Sequence, residues 1–247
     1  MRMFRLYVIL SLKSAVLPDI ITDRNTVNSK KIMPIASEGW VFILPTLLLG
    51  SLLLFVPLVI VKIVAILTLI ISAYCIYFFR DPERDIPQTT DLIAPGDGVI
   101  LEVKEIDGEG YGKGKVIRIF LSLFSVHVQR SPIAGTVVSV THKKGEFLDA
   151  RHPEAPFKNE AVSLELDTVI GKVIVRQLAG LIARRILCWV NKGDALKLGD
   201  RYGLIRFGSQ VDLFVPISTE ILVKTGDKVT AGITPLARPA TNKGAAQ

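Results

Sequence analysis

The architecture is decided by the stretch from Gly39 to Phe79, which reads GWVFILPTLLLGSLLLFVPLVIVKIVAILTLIISAYCIYFF. Lys62, near its middle, is the only charged residue in it. A bilayer is crossed by about 20 apolar residues, so this run is too long for one span and suits two. A bend near Lys62 would let its ammonium group reach water or headgroups. We therefore predict a transmembrane or membrane-inserted helical hairpin over residues 39–79.

Positive charges flank this hairpin on both sides. They are Arg24, Lys30 and Lys31 before it, and Arg80 and Arg84 after it. Because Lys and Arg are enriched on the cytoplasmic side of membrane segments, both ends are expected in the cytoplasm. We interpret residues 1–38 as an N-terminal extension and residues 80–247 as a catalytic domain on the cytoplasmic face of the cell membrane.

After Asp81 the sequence changes to short β-like runs separated by Gly, Pro and Asp. The runs are Gly98 to Lys104, Lys115 to Ser122, Thr136 to His142, Ala161 to Leu166, Val169 to Arg176 and Glu220 to Lys224. Three turns that contain Gly lie beside apolar strands. This arrangement is typical of small barrels and lipoyl-type folds. Helical periodicity is confined to Gln177 through Val190. The sequence predicts a mainly β, β-rich α+β domain with lipoyl- or barrel-like strands.

The composition excludes some classes of protein. The formal charge is +7, but no zinc-ligand cluster or RNP-like motif accompanies it. We therefore expect no nucleic-acid partner and no metal, and we attribute the charge to an anionic bilayer surface. The two cysteines, Cys75 and Cys188, imply no disulfide framework and are interpreted as packing residues.

The sequence around Ser209 reads Arg206-Phe207-Gly208-Ser209-Gln210-Val211-Asp212-Leu213-Phe214-Val215-Pro216. A Gly-Ser pair alone ordinarily marks a turn. Here it closes a series of five ordered blocks. These are Phe78 to Pro82, the Ala94-Pro95-x-Asp97-Gly98 turn, Val126 to Pro132, Gln177 to Ile186, and Phe207-Gly208-Ser209. Together the blocks resemble the short bacterial type of the phosphatidylserine decarboxylase family. The resemblance covers roughly two-thirds of the chain.

This resemblance implies a proenzyme that cuts itself between Gly208 and Ser209. The Ser209 hydroxyl would attack the Gly208 carbonyl, and Ser209 would become a covalent pyruvoyl cofactor that forms a Schiff base with the substrate. Residues 1–208 and 209–247 would remain together as a large and a small chain, with a higher homo-oligomer left open. The reaction implied is decarboxylation of the membrane phospholipid phosphatidylserine to phosphatidylethanolamine and CO2.

Two further residues are predicted catalytic from their places in the blocks. His127 is the acid–base candidate, because an unperturbed histidine titrates near neutral pH. Asp97 matches an aspartate that orients a histidine in long-type relatives, although it is ordinarily a turn residue. Those relatives carry a second histidine where this chain has Arg130. Arg130 is open to three interpretations: oxyanion stabilisation, contact with the lipid phosphate, or a surface cation.

The sequence also offers another cleavage site and two other functions. Leu49-Gly50-Ser51 also matches the core of the long-type cleavage motif, but it lies inside the apolar run, where small residues serve helix packing. The same chemistry could act on another serine-headgroup lipid. A noncatalytic membrane adaptor with a lipoyl-like domain would explain the hairpin and the turns, but not Gly208-Ser209 in its ordered company.

Overall fold

The computed structural model describes residues 34–181, 185–206 and 209–240, with Ser209 described by its backbone alone. Residues 1–33, which hold most of the predicted extension, and the predicted cleavage partner Gly208 lie outside the described residues. The described chain begins with a 3-10 turn at Ser37–Gly39, which leads into the first helix.

Two apolar helices form the predicted hairpin. Helix α1 is Trp40–Leu53 and helix α2 is Val59–Phe78. Within the described chain, α2 alone is long and apolar enough to cross a membrane, whereas the 14 residues of α1 reach only about 21 Å. The connecting turn lies at residues 54–58, and Lys62 follows in the first turn of α2.

Small residues let the two helices pack closely. A Cβ on Gly50 would come within 2.8 Å of the Leu69 side chain, so a larger residue there would force Leu69 to move. The Ser72 hydroxyl donates to the Ile43 carbonyl across the pair, at 3.3 Å. Most large side chains on the remaining helix surface are exposed. Gly50 thus takes part in helix packing, whereas Ser51 is exposed.

The rest of the described chain is rich in strands, as predicted. The first seven strands are Leu92–Ile93 (β1), Gly98–Gly108 (β2), Gly112–Leu121 (β3), Val128–Arg130 (β4), Gly135–Lys143 (β5), Ala161–Thr168 (β6) and Gly171–Leu178 (β7). The others are Arg185–Cys188 (β8), Ala195–Leu196 (β9), Arg201–Arg206 (β10), Ser209–Pro216 (β11), Glu220–Ile221 (β12), Lys228–Val229 (β13) and Pro235–Arg238 (β14). A single helical turn, α3, spans Ala155–Lys158 between β5 and β6.

The strands form three sheets. An eight-stranded, curled sheet has the order β13-β2-β3-β11-β7-β6-β5-β9, and two three-stranded sheets have the orders β1-β14-β12 and β4-β10-β8. Side chains alternate along β11, so Val211, Leu213 and Val215 enter the main core. The intervening Gln210, Asp212 and Phe214 are also buried and lie on the opposite face.

A second apolar cluster joins the hairpin to the β domain. It contains Ile43, Phe78 and Phe79 from the helical region, with Val126, Val128 and Leu204 from the region of β4 and β10. The Ala36 amide also donates to the Phe79 carbonyl at 2.7 Å. These contacts attach the end of α2 to the three-stranded β4-β10-β8 sheet.

The helical periodicity seen from Gln177 to Val190 does not produce a helix in the described residues. Gln177 and Leu178 end β7, and β8 pairs with β10 in antiparallel register, with Leu187 opposite Leu204. A short apolar segment is compatible with a helix or a strand. Hydrogen bonds with β10 therefore decide that residues 185–188 form a strand. Cys75 and Cys188 are both free thiols.

Candidate active site

The predicted cut lies between two strands of different sheets. Strand β10 ends at Arg206, and β11 begins at Ser209, whose backbone lies opposite Leu121 of β3. Strand β11 is paired along its whole length with β3, and from Gln210 to Phe214 with β7. Residue 209 therefore stands at the end of a central strand that is held from both sides.

His127 lies beside the chain as it approaches this junction. It immediately precedes β4, which pairs with β10, and its carbonyl accepts a hydrogen bond from the Ile205 amide at 3.4 Å. Ile205 is three residues before Gly208 in the sequence. Strand pairing therefore brings together a predicted acid–base residue and the segment that carries the predicted cut.

The surroundings of His127 define its protonation state. The side chain is fully buried, and its ring packs against Phe78 with 4.1 Å between ring centroids. Its Nδ1 lies 3.0 Å from the Ser125 carbonyl, which can only accept a hydrogen bond. Nδ1 therefore carries the proton, and Nε2 has the lone pair. Burial, and to a lesser extent the charge of Arg80, lowers the pKa of His127 to about 3, so the ring is neutral at physiological pH.

Asp97 has a different set of described contacts. Its carboxylate forms an ion pair with Arg84 at 3.0 Å and accepts a hydrogen bond from the Ala231 amide at 2.8 Å. It thereby ties the turn before β2 to the segment after β13. None of the hydrogen bonds described for Asp97 joins it to His127, so its predicted orienting role stays a prediction.

Arg130 is buried, which rules out the interpretation as a surface cation. Its guanidinium donates to the carbonyls of Gly199 at 3.1 Å and Pro82 at 3.0 Å. The neighbouring Asp81 is also buried and forms an ion pair with Arg201 at 2.9 Å. These contacts join the segment after α2 to β4 and β10, so Arg130 holds the framework of the site together.

Two contacts of His127 were not anticipated from the sequence: the ring of Phe78 and the carbonyl of Ser125. Phe78 lies in the first of the five sequence blocks, which is the signal that could have marked it. The Ser125 contact carries no sequence signal, because any residue has a carbonyl group.

A charged cluster on the other face of β11 was also missed. Arg118 of β3 forms ion pairs with Asp212, Glu102 and Glu109, at 2.8, 2.8 and 2.7 Å. Burial raises the pKa of Asp212 to about 6, although the Arg118 charge opposes the shift. A pocket of about 420 Å³ adjoins the cluster, and Arg118, Phe157 and Gln210 contribute to its lining. The cluster stabilises β11 just behind residue 209.

Asn159 and Glu160, which precede β6, have ordinary structural contacts. Asn159 accepts from the Leu148 amide and donates to the carbonyls of Leu148 and Ala179, while Glu160 binds the exposed His142 ring at 3.0 Å. Within residues 34–181, 185–206 and 209–240, no group of three or more His, Cys, Asp or Glu side chains is arranged to hold a metal ion.

Comparison with known proteins gives matches over most of the chain. The sequence model of the phosphatidylserine decarboxylase family matches residues 71–237. A phosphatidylserine decarboxylase proenzyme of Geobacter sulfurreducens is 42% identical over 210 residues, covering 82% of this chain and 95% of the relative. The proenzyme of Citrifermentans bemidjiense is 44% identical over 216 residues with the same coverage. That of Trichlorobacter lovleyi is 47% identical over 176 residues, covering 70% of this chain and 80% of the relative.

The β-rich fold, the junction beside a buried histidine and these matches together define an enzyme of the decarboxylase class. More particularly, the chain belongs to the phosphatidylserine decarboxylase family. This membership decides against the noncatalytic adaptor considered above.

Proposed function

We propose that this enzyme decarboxylates phosphatidylserine to phosphatidylethanolamine and CO2, after cutting its own chain between Gly208 and Ser209. The observation that carries the proposal is the position of His127 beside the β10–β11 junction, with the Ser125 carbonyl fixing the tautomer of its ring. The family membership and the proenzyme names of the relatives agree with it.

The self-cleavage is an acyl shift in which the Ser209 hydroxyl attacks the Gly208 carbonyl while His127 Nε2 accepts the hydroxyl proton. The proton then passes to the departing Ser209 nitrogen, and an ester links the two residues. Loss of the Ser209 α-proton expels the Gly208 carboxylate and leaves dehydroalanine. Its hydrolysis releases ammonia and leaves a pyruvoyl group on residue 209. Because the resting His127 ring is neutral, it can take up the hydroxyl proton and then return that proton from its imidazolium form.

The residues present fit such a group. Residue 209 begins a strand paired on both sides, which would hold the new chain end in place after the cut. A pyruvoyl group supplies the electron sink that lets an amino acid lose CO2. The buried His127 imidazole excludes water from its side of the site and can return a proton to the product. The cofactor then comes from Ser209 itself.

Asp97 enters the proposal as a positioning residue. Its carboxylate fixes the turn that contains Pro95, and the Pro95 carbonyl accepts from the Arg130 amide at 3.0 Å. Arg130 ends β4, the strand that begins directly after His127. Through this chain of contacts, Asp97 supports the backbone that carries the histidine.

We further propose that the hairpin holds the enzyme in the cell membrane, with the β domain on the cytoplasmic face. The length and apolar surface of α2 support insertion. Arg80 and Arg84 follow the helix directly, as the positive-inside rule expects for a cytoplasmic end. This placement brings the site to the level of the phospholipid headgroups, where the substrate is concentrated.

Intact-mass spectrometry of the purified protein, together with conversion of phosphatidylserine to phosphatidylethanolamine, tests the proposal. Two chains are expected, the smaller one starting at residue 209 with a pyruvoyl terminus. Ser209→Ala should remain one chain and form no product. The matched control is Ser51→Ala, at the chain's other Gly-Ser pair, which should be cut and active like the wild type. An active wild-type enzyme that is uncut would refute the mechanism.

A further inference from the structure

The turn at residues 122–125, between β3 and β4, is named the Phe124 turn. Its fold is well defined, because the Ser125 amide donates to the Ser122 carbonyl at 2.9 Å and the Phe124 amide lies 3.3 Å from the Ser122 hydroxyl. Phe124 is nevertheless 68% exposed. Among the described residues outside the hairpin, no aromatic side chain is more exposed. A single exposed phenyl ring has no meaning by itself, so its interpretation depends on the surface that lies beside it.

The Phe124 turn is bound to the end of helix α2. The Tyr74 hydroxyl donates to the Leu123 carbonyl at 3.2 Å, and the Tyr77 hydroxyl donates to the Phe124 carbonyl at 3.1 Å. The Arg80 guanidinium donates to the same Phe124 carbonyl at 2.7 Å and stacks over the Tyr77 ring. The turn therefore lies at the level of the last turn of α2.

The residues at the last turn of α2 indicate what the Phe124 turn contacts. Tyrosines and an arginine at the end of an apolar helix are typical of the membrane–water interface. The exposed apolar surface of α2 continues towards the same end, where Tyr77 is itself exposed. On these grounds we infer that the Phe124 turn is a bilayer-contacting element, which places the Phe124 ring in the boundary between headgroups and acyl chains. The inference rests on the proposed membrane insertion of the hairpin.

The same turn supports the catalytic histidine. The residue after Phe124 is Ser125, whose carbonyl receives the Nδ1 proton of His127. Phe78, on the last turn of α2, packs against the His127 ring. The Phe124 turn thus connects the bilayer surface to His127. A turn in contact with lipid would hold the imidazole at the depth of the substrate headgroup.

The test measures the depth of position 124 in a bilayer. A nitroxide is attached to Phe124→Cys in a protein that also carries Cys75→Ala and Cys188→Ala, reconstituted in vesicles of phosphatidylcholine and phosphatidylglycerol. Val169→Cys is the matched control, because Val169 is apolar, 95% exposed, and lies in the β6–β7 turn. That turn is at the end of β7 remote from Leu178, roughly 20 Å along the strand from the edge that holds residue 209.

At position 124, collisions with oxygen should exceed those with a water-soluble nickel chelate, and at position 169 the order should reverse. A label at 124 that behaves like the label at 169 would overturn the inference. A label at 124 shielded from both reagents would also overturn it, because it would show contact with protein, such as a second copy. Circular dichroism of each labelled protein verifies the fold.

The measurement needs no turnover, so it separates this inference from the proposed reaction. Activity is assayed with the unlabelled Cys75→Ala, Cys188→Ala protein in vesicles that contain phosphatidylserine, because a label on the Phe124 turn would disturb the support of His127. A lipid-embedded label at 124, with no phosphatidylethanolamine formed by the unlabelled protein, would uphold the bilayer contact and reject the activity. A water-exposed label at 124, with an active unlabelled protein, would reject the bilayer contact and uphold the activity.

Discussion

At the scale of single residues, His127 has the most informative surroundings. The Ser125 carbonyl fixes its tautomer, the Phe78 ring covers it, and burial keeps it neutral. In a Ser-His-Asp triad, a carboxylate orients the histidine ring. Here the described orienting partner of Nδ1 is a backbone carbonyl, which can fix the tautomer without adding a charge.

Replacing His127 should stop the chemistry. We expect His127→Gln to lower the rate of decarboxylation by at least about 100-fold, because a glutamine cannot accept and return a proton. Product formation from phosphatidylserine vesicles and the mass of the chain are measured together. His142→Gln is the control, since His142 is exposed and binds Glu160 at the surface. Activity of His127→Gln within a few-fold of the control would remove His127 from the mechanism.

The buried histidine also predicts a dependence of stability on pH. Its pKa is about 3 in the folded protein and 6.5 in an unfolded chain. Between these values the unfolded chain binds a proton that the folded protein does not, so stability falls as the pH is lowered from about 6.5 towards 3. The slope is about 1.4 kcal/mol per pH unit.

This dependence is measured by chemical unfolding in Ser209→Ala protein, with and without His127→Gln, so that both proteins are uncut. The raised pKa of Asp212 acts in the opposite direction, but it is common to both proteins and cancels in the difference. Parallel stability curves between pH 6.5 and 4 would show that His127 is not buried as described.

At the scale of elements, β11 depends on a charge pair buried across two strands. Asp212 and Arg118 are directly opposite in the β11–β3 register, and both are buried. Removing one partner leaves the other charge without its counterion in a poorly solvated place. Glu102 and Glu109 remain to compensate part of that charge.

Asp212→Ala should therefore destabilise the β domain by about 3 kcal/mol, the lower end for a broken buried pair. The free energy of unfolding is measured in detergent by the loss of β-sheet circular dichroism. Asp149→Ala removes the exposed ion pair with Arg151 and should leave the unfolding transition unchanged. Equal losses in the two variants would contradict the assigned role of the Arg118 cluster.

At the scale of the whole molecule, the two products of the proposed cleavage would be interlocked. The proposed small chain, residues 209–247, would contribute β11 to the centre of the large sheet and β13 to its edge. It would also contribute β12 and β14 to the sheet that contains β1 of the proposed large chain. The new termini would therefore arise without separating the sheets.

We expect the large and small chains to co-elute in gel filtration in detergent and to separate only in denaturant. The Ser209→Ala protein is the uncut reference and should have a similar unfolding midpoint, because the strand pairings are the same in both. Release of the small chain under native conditions would disprove the interlocked arrangement.

The sequence by itself determined the features that depend on local pattern. Apolar length predicted the hairpin, and the ordered blocks identified the family and the predicted cut at Gly208-Ser209. Short apolar runs between turn residues predicted six of the 14 described strands, which are β2, β3, β5, β6, β7 and β12. The hairpin, each strand and each block is a local pattern, although the five blocks together extend from Phe78 to Ser209. The Gln177 to Val190 segment shows the limit of this approach, because its conformation depends on the neighbouring strand β10.

Only the tertiary structure decided which distant groups meet. Arg118 and Asp212 are 94 residues apart in sequence, and Tyr77 and Phe124 are 47 apart. Strand register and the packing of Phe78 against β4 and β10 decide the support of His127 by Ser125 and the attachment of the Phe124 turn to α2. The contacts of Asp97 with Arg84 and Ala231 likewise join segments distant in sequence. Such contacts form because burial and hydrogen bonding must be satisfied for the whole chain at once, which no local pattern records.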